Sequence, residues 1–402
     1  MPPPTPAAAL AGLLIIAAGP GQATGAGTTK PYLRSVKYQF YAASNAKWGP
    51  AEWEQELLAM AAVRVERVTV RNPLDSHWPN YSLPLQPSEE RRCPQKFTAF
   101  FTLGSALGAN PCVRQYSNAS EEQQPLTMLI HAAAHVNISV ILGLAWSGSA
   151  PKQASGLASL ATLQLAAADR IWELYATAAV RGAVPRKAVI AGAYTEVEFN
   201  NCHTPEFADA YLAEYLIPVS NHIVSLHKTH GLDPPFIYAD PYYEDHSSCL
   251  SATEYGEFWR RTFVAAPGFS LIAPQDGVGA HDLPSATVDK FLGALRNGSH
   301  VAHRKFGVLV ELFQQFPLGT YNQPTCEHRR PAPWPRIKRQ LQNEAAFADG
   351  GELTAWEFHS YLSPMRGPCE WSHDALTRNG SQSLYQQYKG FVDGLFVGIN
   401  KL

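Results

Sequence analysis

Phe306–Phe313 reads FGVLVELF, an apolar run of strand type that carries a single carboxylate, Glu311. Side chains alternate along a strand, so Gly307, Leu309 and Glu311 share one face while Val308 and Val310 share the other. If Gly307 and Leu309 face the axis of a barrel, Glu311 stands above them, in its mouth. A second run, Ala188–Tyr194, leads in the same way into Glu196 and Glu198, which have equal parity. Acidic residues at the ends of buried strands point to acid/base chemistry at the carboxyl face of a parallel sheet.

The rest of the chain supplies the sheet. Strand-like runs recur at Val36–Tyr41, Arg67–Arg71, Ser139–Leu144, Ala188–Tyr194, Pro235–Ala239, Ser270–Ala273, Phe306–Val310 and Leu353–Phe358. Helical stretches alternate with them: from Pro50, Pro125–His135, Leu157–Val180, Pro205–His230, Ser251–Val264, Leu283–Arg296, Pro335–Phe347 and Ser381–Phe396. Eight such units predict an α/β fold, a (β/α)8 TIM barrel in a single domain with long carboxyl-face loops. An open doubly wound sheet would carry a Gly-rich phosphate loop after its first strand. AASNAKWG at 42–49 is no such loop.

With 402 residues, a formal net charge of −2 and a pI near 6.7, the chain has no basic surplus of the kind nucleic-acid binding requires. Ala7–Ala18 (AAALAGLLIIAA) has the length of a signal-peptide core and is too short to span a membrane. Ala23–Ala26 offers small residues for cleavage, although Met1–Pro6 lacks the usual positive charge. Residues 1–26 are therefore expected to be a signal peptide and 27–402 the barrel, secreted or held in the secretory lumen, with no membrane span. Glycosylation acceptors at Asn80, Asn118, Asn137, Asn297 and Asn379 agree with that route. So does an even set of cysteines without a CxxC: Cys93, Cys112, Cys202, Cys249, Cys326 and Cys369. All six fall in carboxyl-face loops, and adjacent loops are neighbours in a barrel. The expected pairs are Cys93–Cys112, Cys202–Cys249 and Cys326–Cys369.

Reading past each strand gives an acidic rim: Glu196 and Glu198 after the fourth, Asp240, Glu244 and Asp245 after the fifth, Gln275 and Asp276 after the sixth, Glu311 ending the seventh, and Glu357 with His359 after the eighth. Each has a structural alternative. Glu311 could pair with an arginine, and Pro274–Gly279 (PQDGVG) also reads as a tight turn. Tyr41, Trp48, Trp146, Tyr194, Tyr242, Tyr243, Trp356 and Tyr361 fall at or just beyond strand ends. Any one of them is most simply a packing residue, but as a group they suit the flat faces of sugars. The expected partner is an oligo- or polysaccharide or a glycoconjugate; oligomeric state is left open. Histidines 203, 246, 281, 359 and 373 also lie on the rim, yet no HExxH or other ligand spacing appears, so neither a metal nor a cofactor is expected. A GxSxG nucleophile elbow is absent as well.

Trp48 and Trp53, Gly192–Glu198 (GAYTEVE), PQDGVG, Val310–Phe313 (VELF) and Trp356–Pro364 (WEFHSYLSP) together resemble a family of TIM-barrel domains of unknown function ascribed a glycosidase role. The similarity spans essentially the whole mature chain, and PQDGVG is its most specific element. In that family strand four ends near G-W-Y-[IL]-P-x-E, which places its glutamate on Glu198; Ala193, Thr195 and Glu196 depart from the pattern and keep Glu196 in contention. Its strand-seven glutamate falls on Glu311 and its strand-six aspartate on Asp276. The resemblance extends to the large clan of retaining glycosidases, with the acid/base after strand four and the nucleophile after strand seven. It implies Glu198 and Glu311 in those roles with Asp276 nearby, and the rim reading adds Gln275, Glu357, His359 and the aromatics as substrate-binding residues.

Overall fold

Arg67–Arg71, RVTVR, shows how this barrel is built. Val68 and Val70 point outward into the main hydrophobic core beneath the helices, and Arg67, Thr69 and Arg71 point inward. The computed structural model describes residues 30–40, 45–76, 93, 96–145, 154–177, 189–315, 329–365 and 375–396. Its central sheet is parallel throughout: Ser35–Gln39, Arg67–Arg71, Ser139–Gly143, Ile190–Tyr194, Phe236–Ala239, Leu271–Ile272, a seventh strand in two pieces, and Leu353–Trp356. The seventh strand is interrupted at Gly307. Lys305–Phe306 pairs with the sixth strand and Val308–Glu311 with the eighth, so the ring of eight closes. A Cβ on Gly307 would lie 2.8 Å from the Glu352 carbonyl, which explains the glycine at this junction.

The helices start where the chain supplies caps. Thr204 accepts from the Phe207 N–H at 3.3 Å with Pro205 at the first helical position, and Ser251 with Glu254 forms a reciprocal capping box. The helix opened by Thr204 runs on through Thr229 but passes through a π-helical stretch, Tyr211–Leu216. Pro218 follows directly, and its missing N–H and ring bulk are what the wider turn absorbs. The helix Ser285–Val301 outruns its expected end at Arg296 because Gly298 is a packing site, not a stop: a Cβ there would sit 2.2 Å from the Gly256 carbonyl of the neighbouring helix Ala252–Ala265.

Two loops carry structure the sequence did not announce. The segment after the second strand holds a small sheet, Leu74–Asp75, Phe97–Ala99 and Val113–Gln115, and Phe313–Gln315 pairs antiparallel with Arg329–Pro331. Cys93–Cys112 ties the first of these loops, and Cys202–Cys249 joins the loops after strands four and five. Cys326 and Cys369 lie outside the described residues, as do residues 1–26 and Asn80. Asn118, Asn137 and Asn297 are exposed, and Asn379 lies on the last helix, Ala375–Phe396. Among the described residues no helix is long and apolar enough to cross a membrane.

Candidate functional site

Register decides what faces the mouth. Partners in a parallel ladder point to the same side, and Glu311 is the partner of Trp356, whose ring lies 5.0 Å from Lys37 Nζ and 4.6 Å from the Arg71 guanidinium. Inward positions continue around the ring through Gln39, Arg71, Gly143, Tyr194, Asp240 and Gln275. The upper layer of the barrel is thus polar and charged.

Arg71 organises one half of it. Its Nε lies 3.3 Å from Glu196 and its Nη2 3.1 Å from Glu198, while Trp356 covers its plane. Both carboxylates, with Tyr194 and Asp240, hold the guanidinium above its ordinary pKa against the cost of burial. Glu196 is 1% exposed and Glu198 35%. Burial pushes the Glu196 carboxyl up to about 7, opposed by Arg71 and by the Asn72 N–H, which donates to it at 2.8 Å. The position exists because residue 143 is glycine: a Cβ there would fall 1.7 Å from Glu196 Oε1. Beside this group Lys37 Nζ bonds Asp240, both fully buried, with the Tyr194 ring 3.8 Å from the ammonium. Burial drives Lys37 down and Asp240 up, but ring faces on the cation and a Gln275 amide donating to Asp240 at 3.3 Å favour the ionic pair.

Glu311 belongs to a second group. Its Oε2 accepts from the N–H groups of Gly279 and Ala280, each at 2.7 Å, and among the described residues no donor reaches Oε1. Burial, then the charge of Asp276, pushes its carboxyl up to about 8. The amides approach this closely because Gly277 takes a left-handed φ of 68° and Gly279 leaves no room for a side chain. Asp276 is fully buried in that turn. It accepts from Val278 N–H at 3.1 Å, Glu311 N–H at 3.3 Å and the Gln340 amide, and it hydrogen-bonds Glu344. Arg336 donates to the backbone carbonyls of Glu311 and Phe313, and among the described residues no arginine pairs with the Glu311 carboxylate.

The other expected residues are dispersed. Tyr242 is half-buried and its ring is parallel to that of His281 at 6.5 Å. Trp48 meets the edges of Trp53 and His359, and His359 is buried beside Glu56 at 3.3 Å. Glu357, reached through a cis peptide from Trp356, accepts from Ser360 at 2.5 Å, and Tyr361 packs on Phe313. Tyr194 is buried under Lys37, and Tyr243 stacks on Phe291 with its hydroxyl donating to the Asp276 carbonyl. Tyr41 and Trp146 lie outside the described residues. Lys37, Arg71, Gln340 and Glu344 were missed by sequence reasoning. The first two were signalled by polar residues alternating within SVKYQ and RVTVR; nothing local marked the two helix residues. No cluster of three His, Cys, Asp or Glu suited to a metal occurs among the described residues.

Residues 38–367 match DUF4434, a domain of unknown function, and the chain belongs to that family. No curated protein matches it in sequence. Among solved structures, a Bacteroides thetaiotaomicron protein named a "putative alpha-L-fucosidase" is similar over 93% of this chain and 99% of its own, at 13% identity and a TM-score of 0.59. A glycoside hydrolase family 5 protein from Bacteroides vulgatus matches 91% of this chain and 66% of its own at 11% identity and a TM-score of 0.49. A family 5 mannosidase from Rhizomucor miehei matches 92% and 95% at 12% identity and 0.47. At such identities the likeness is one of fold.

Proposed function

We propose that this DUF4434 member is a secreted glycoside hydrolase that cleaves O-glycosidic bonds with two carboxylates, Glu198 and Glu311, by a retaining mechanism. What supports the reading is a partly open carboxylate in the loop after strand four together with an amide-clamped carboxylate on the inward face of strand seven, both at the carboxyl end of the barrel. Glu198 protonates the leaving oxygen and then takes a proton from water. Glu311, ionised as pH rises through about 8, attacks the anomeric carbon through Oε1, and its Oε2 stays on the Gly279 and Ala280 amides, which stabilise the carboxylate when it leaves in the second step. Retention requires the two carboxyls about 5–5.5 Å apart when substrate is bound; inversion would require roughly 6.5–9.5 Å. Trp356, Tyr242 and Trp48 supply ring faces for the sugar.

A second reading, glycan binding without turnover, draws support from Glu311 being only 2% exposed. A panel of aryl glycosides and polysaccharides offered to the purified protein separates the two. Hydrolysis by the wild type, reduced about 10³-fold or more in Glu311→Gln and in Glu198→Gln, is the expected result. Binding of a glycan with no product, equal in wild type and Glu311→Gln, would establish the binding protein instead.

A further inference from the structure

On the amino-terminal face, opposite the mouth, a cleft of about 910 Å³ opens between the end of the helix Ile217–Thr229, the loop entering the fifth strand, and the turns before the sixth and seventh strands. That size falls within the range of small-ligand sites, roughly 300–1,000 Å³. Its wall includes Phe236, Phe269 and Val224, the last one of four exposed large apolar side chains among the described residues. Lys228, His303, Arg304 and Lys305 line it too, and no carboxylate does. Arg304 is aimed by donating to the carbonyls of His303 at 3.3 Å and Pro267 at 3.1 Å, bonds that orient its charge without neutralising it. Among the described residues no carboxylate pairs with Lys228, Arg304 or Lys305, whereas Arg34, Lys37, Arg67 and Arg71 all have such partners. An adjoining cleft of about 240 Å³ shares His227 and Phe236 but carries Glu66 and Asp233, so the anion-attracting part is confined to the side of residues 303–305.

We propose that this cleft is a second binding site, for an anionic oligosaccharide bearing sulfate or carboxylate groups. Three uncompensated cations around an apolar wall fit a ligand with negative groups on a ring-shaped body, and the choice of a sugar for that body rests on the glycosidase reading. The cleft would then hold an acidic chain on the face of the barrel away from the mouth.

A sulfated tetrasaccharide, the same tetrasaccharide without sulfate, and inorganic sulfate are titrated calorimetrically into the full chain, into Lys228→Gln/Lys305→Gln, and into Glu198→Gln. Both lysines are exposed, so the double variant should fold. The sulfated sugar is expected to bind the wild type, more weakly as salt rises, and the double variant about tenfold more weakly with any aryl-glycoside turnover unchanged. Glu198→Gln should bind it as the wild type does. Absence of binding, or binding that survives intact in the double variant, overturns the site. Equal affinity for inorganic sulfate or for the uncharged sugar overturns the ligand class. Cleft binding by a protein that hydrolyses no glycoside would support the site while the hydrolase reading fell, so the two are tested separately.

Discussion

Arg71 is held by two glutamates of unequal standing: Glu198 meets solvent, and Glu196 is sealed against Gly143. That arrangement separates the equal-parity pair which sequence alone left together, because parity reports the face of a strand and not how far the chain has climbed above it. It also gives Glu196 a titration of its own. Glu196 and Glu311 titrate at about 7 and about 8 in the folded chain against an ordinary value of 4.5, so the folded state holds protons that the unfolded chain releases. The stability they confer is complete below about pH 4.5 and is lost as pH rises through about 7 to 8. Thermal unfolding midpoints should therefore fall between about pH 5 and pH 8, and Glu311→Gln should flatten that fall by removing one of the two titrations. A wild-type midpoint that climbs across the same window would contradict the assignment.

The PQDGVG turn and the helix Trp334–Glu344 act together on the end of strand seven. Asp276, Glu311 and Glu344 are three buried carboxyls opposed by two cations, Arg336 beside Asp276 and Glu344 and Arg329 near Glu311, and burial with the neighbouring Asp276 drives Glu344 well above its ordinary range. Glu344 then keeps a proton and donates it to Asp276, which in turn holds the Glu311 N–H. Glutamine can donate in the same place. Glu344→Gln is expected to stay within about 1 kcal/mol of wild type in urea unfolding at neutral pH, while Glu344→Ala, which strips a donor from a buried carboxylate and leaves a void, costs roughly 2–4 kcal/mol. Equal losses in the two variants would mean that Glu344 is ionised. PQDGVG was legible from sequence as a turn and, through the family resemblance, as part of a site. Its partners on the helix were not, because Gln340 and Glu344 come from an element whose polar residues otherwise read as a solvated face.

At the scale of the molecule, eight alternations of strand and helix were enough to read the closed barrel, since each unit announces itself through local period and caps. The charged interior was harder to read. Arg67, Lys37 and Arg71 would be solvent-facing in an ordinary half-exposed strand, and only closure of the ring turns that face inward, where Arg67 meets Glu352 and Lys37 meets Asp240. Closure also makes loops of adjacent strands neighbours. Cys202–Cys249 bridges the loops of strands four and five on this principle, and Cys93–Cys112 closes within one loop. Strands seven and eight are adjacent through Val308–Glu311 and Leu353–Trp356, and Cys326 and Cys369 follow them in sequence. We predict that these two cysteines pair by the same rule, and loop-closure entropy would make the bond worth roughly 4 kcal/mol. A non-reduced peptide map of protein from an oxidising compartment should show a Cys326–Cys369 peptide and no free thiol. A free thiol at either position, or either cysteine joined to another chain, would mean that the loops above strands seven and eight do not meet.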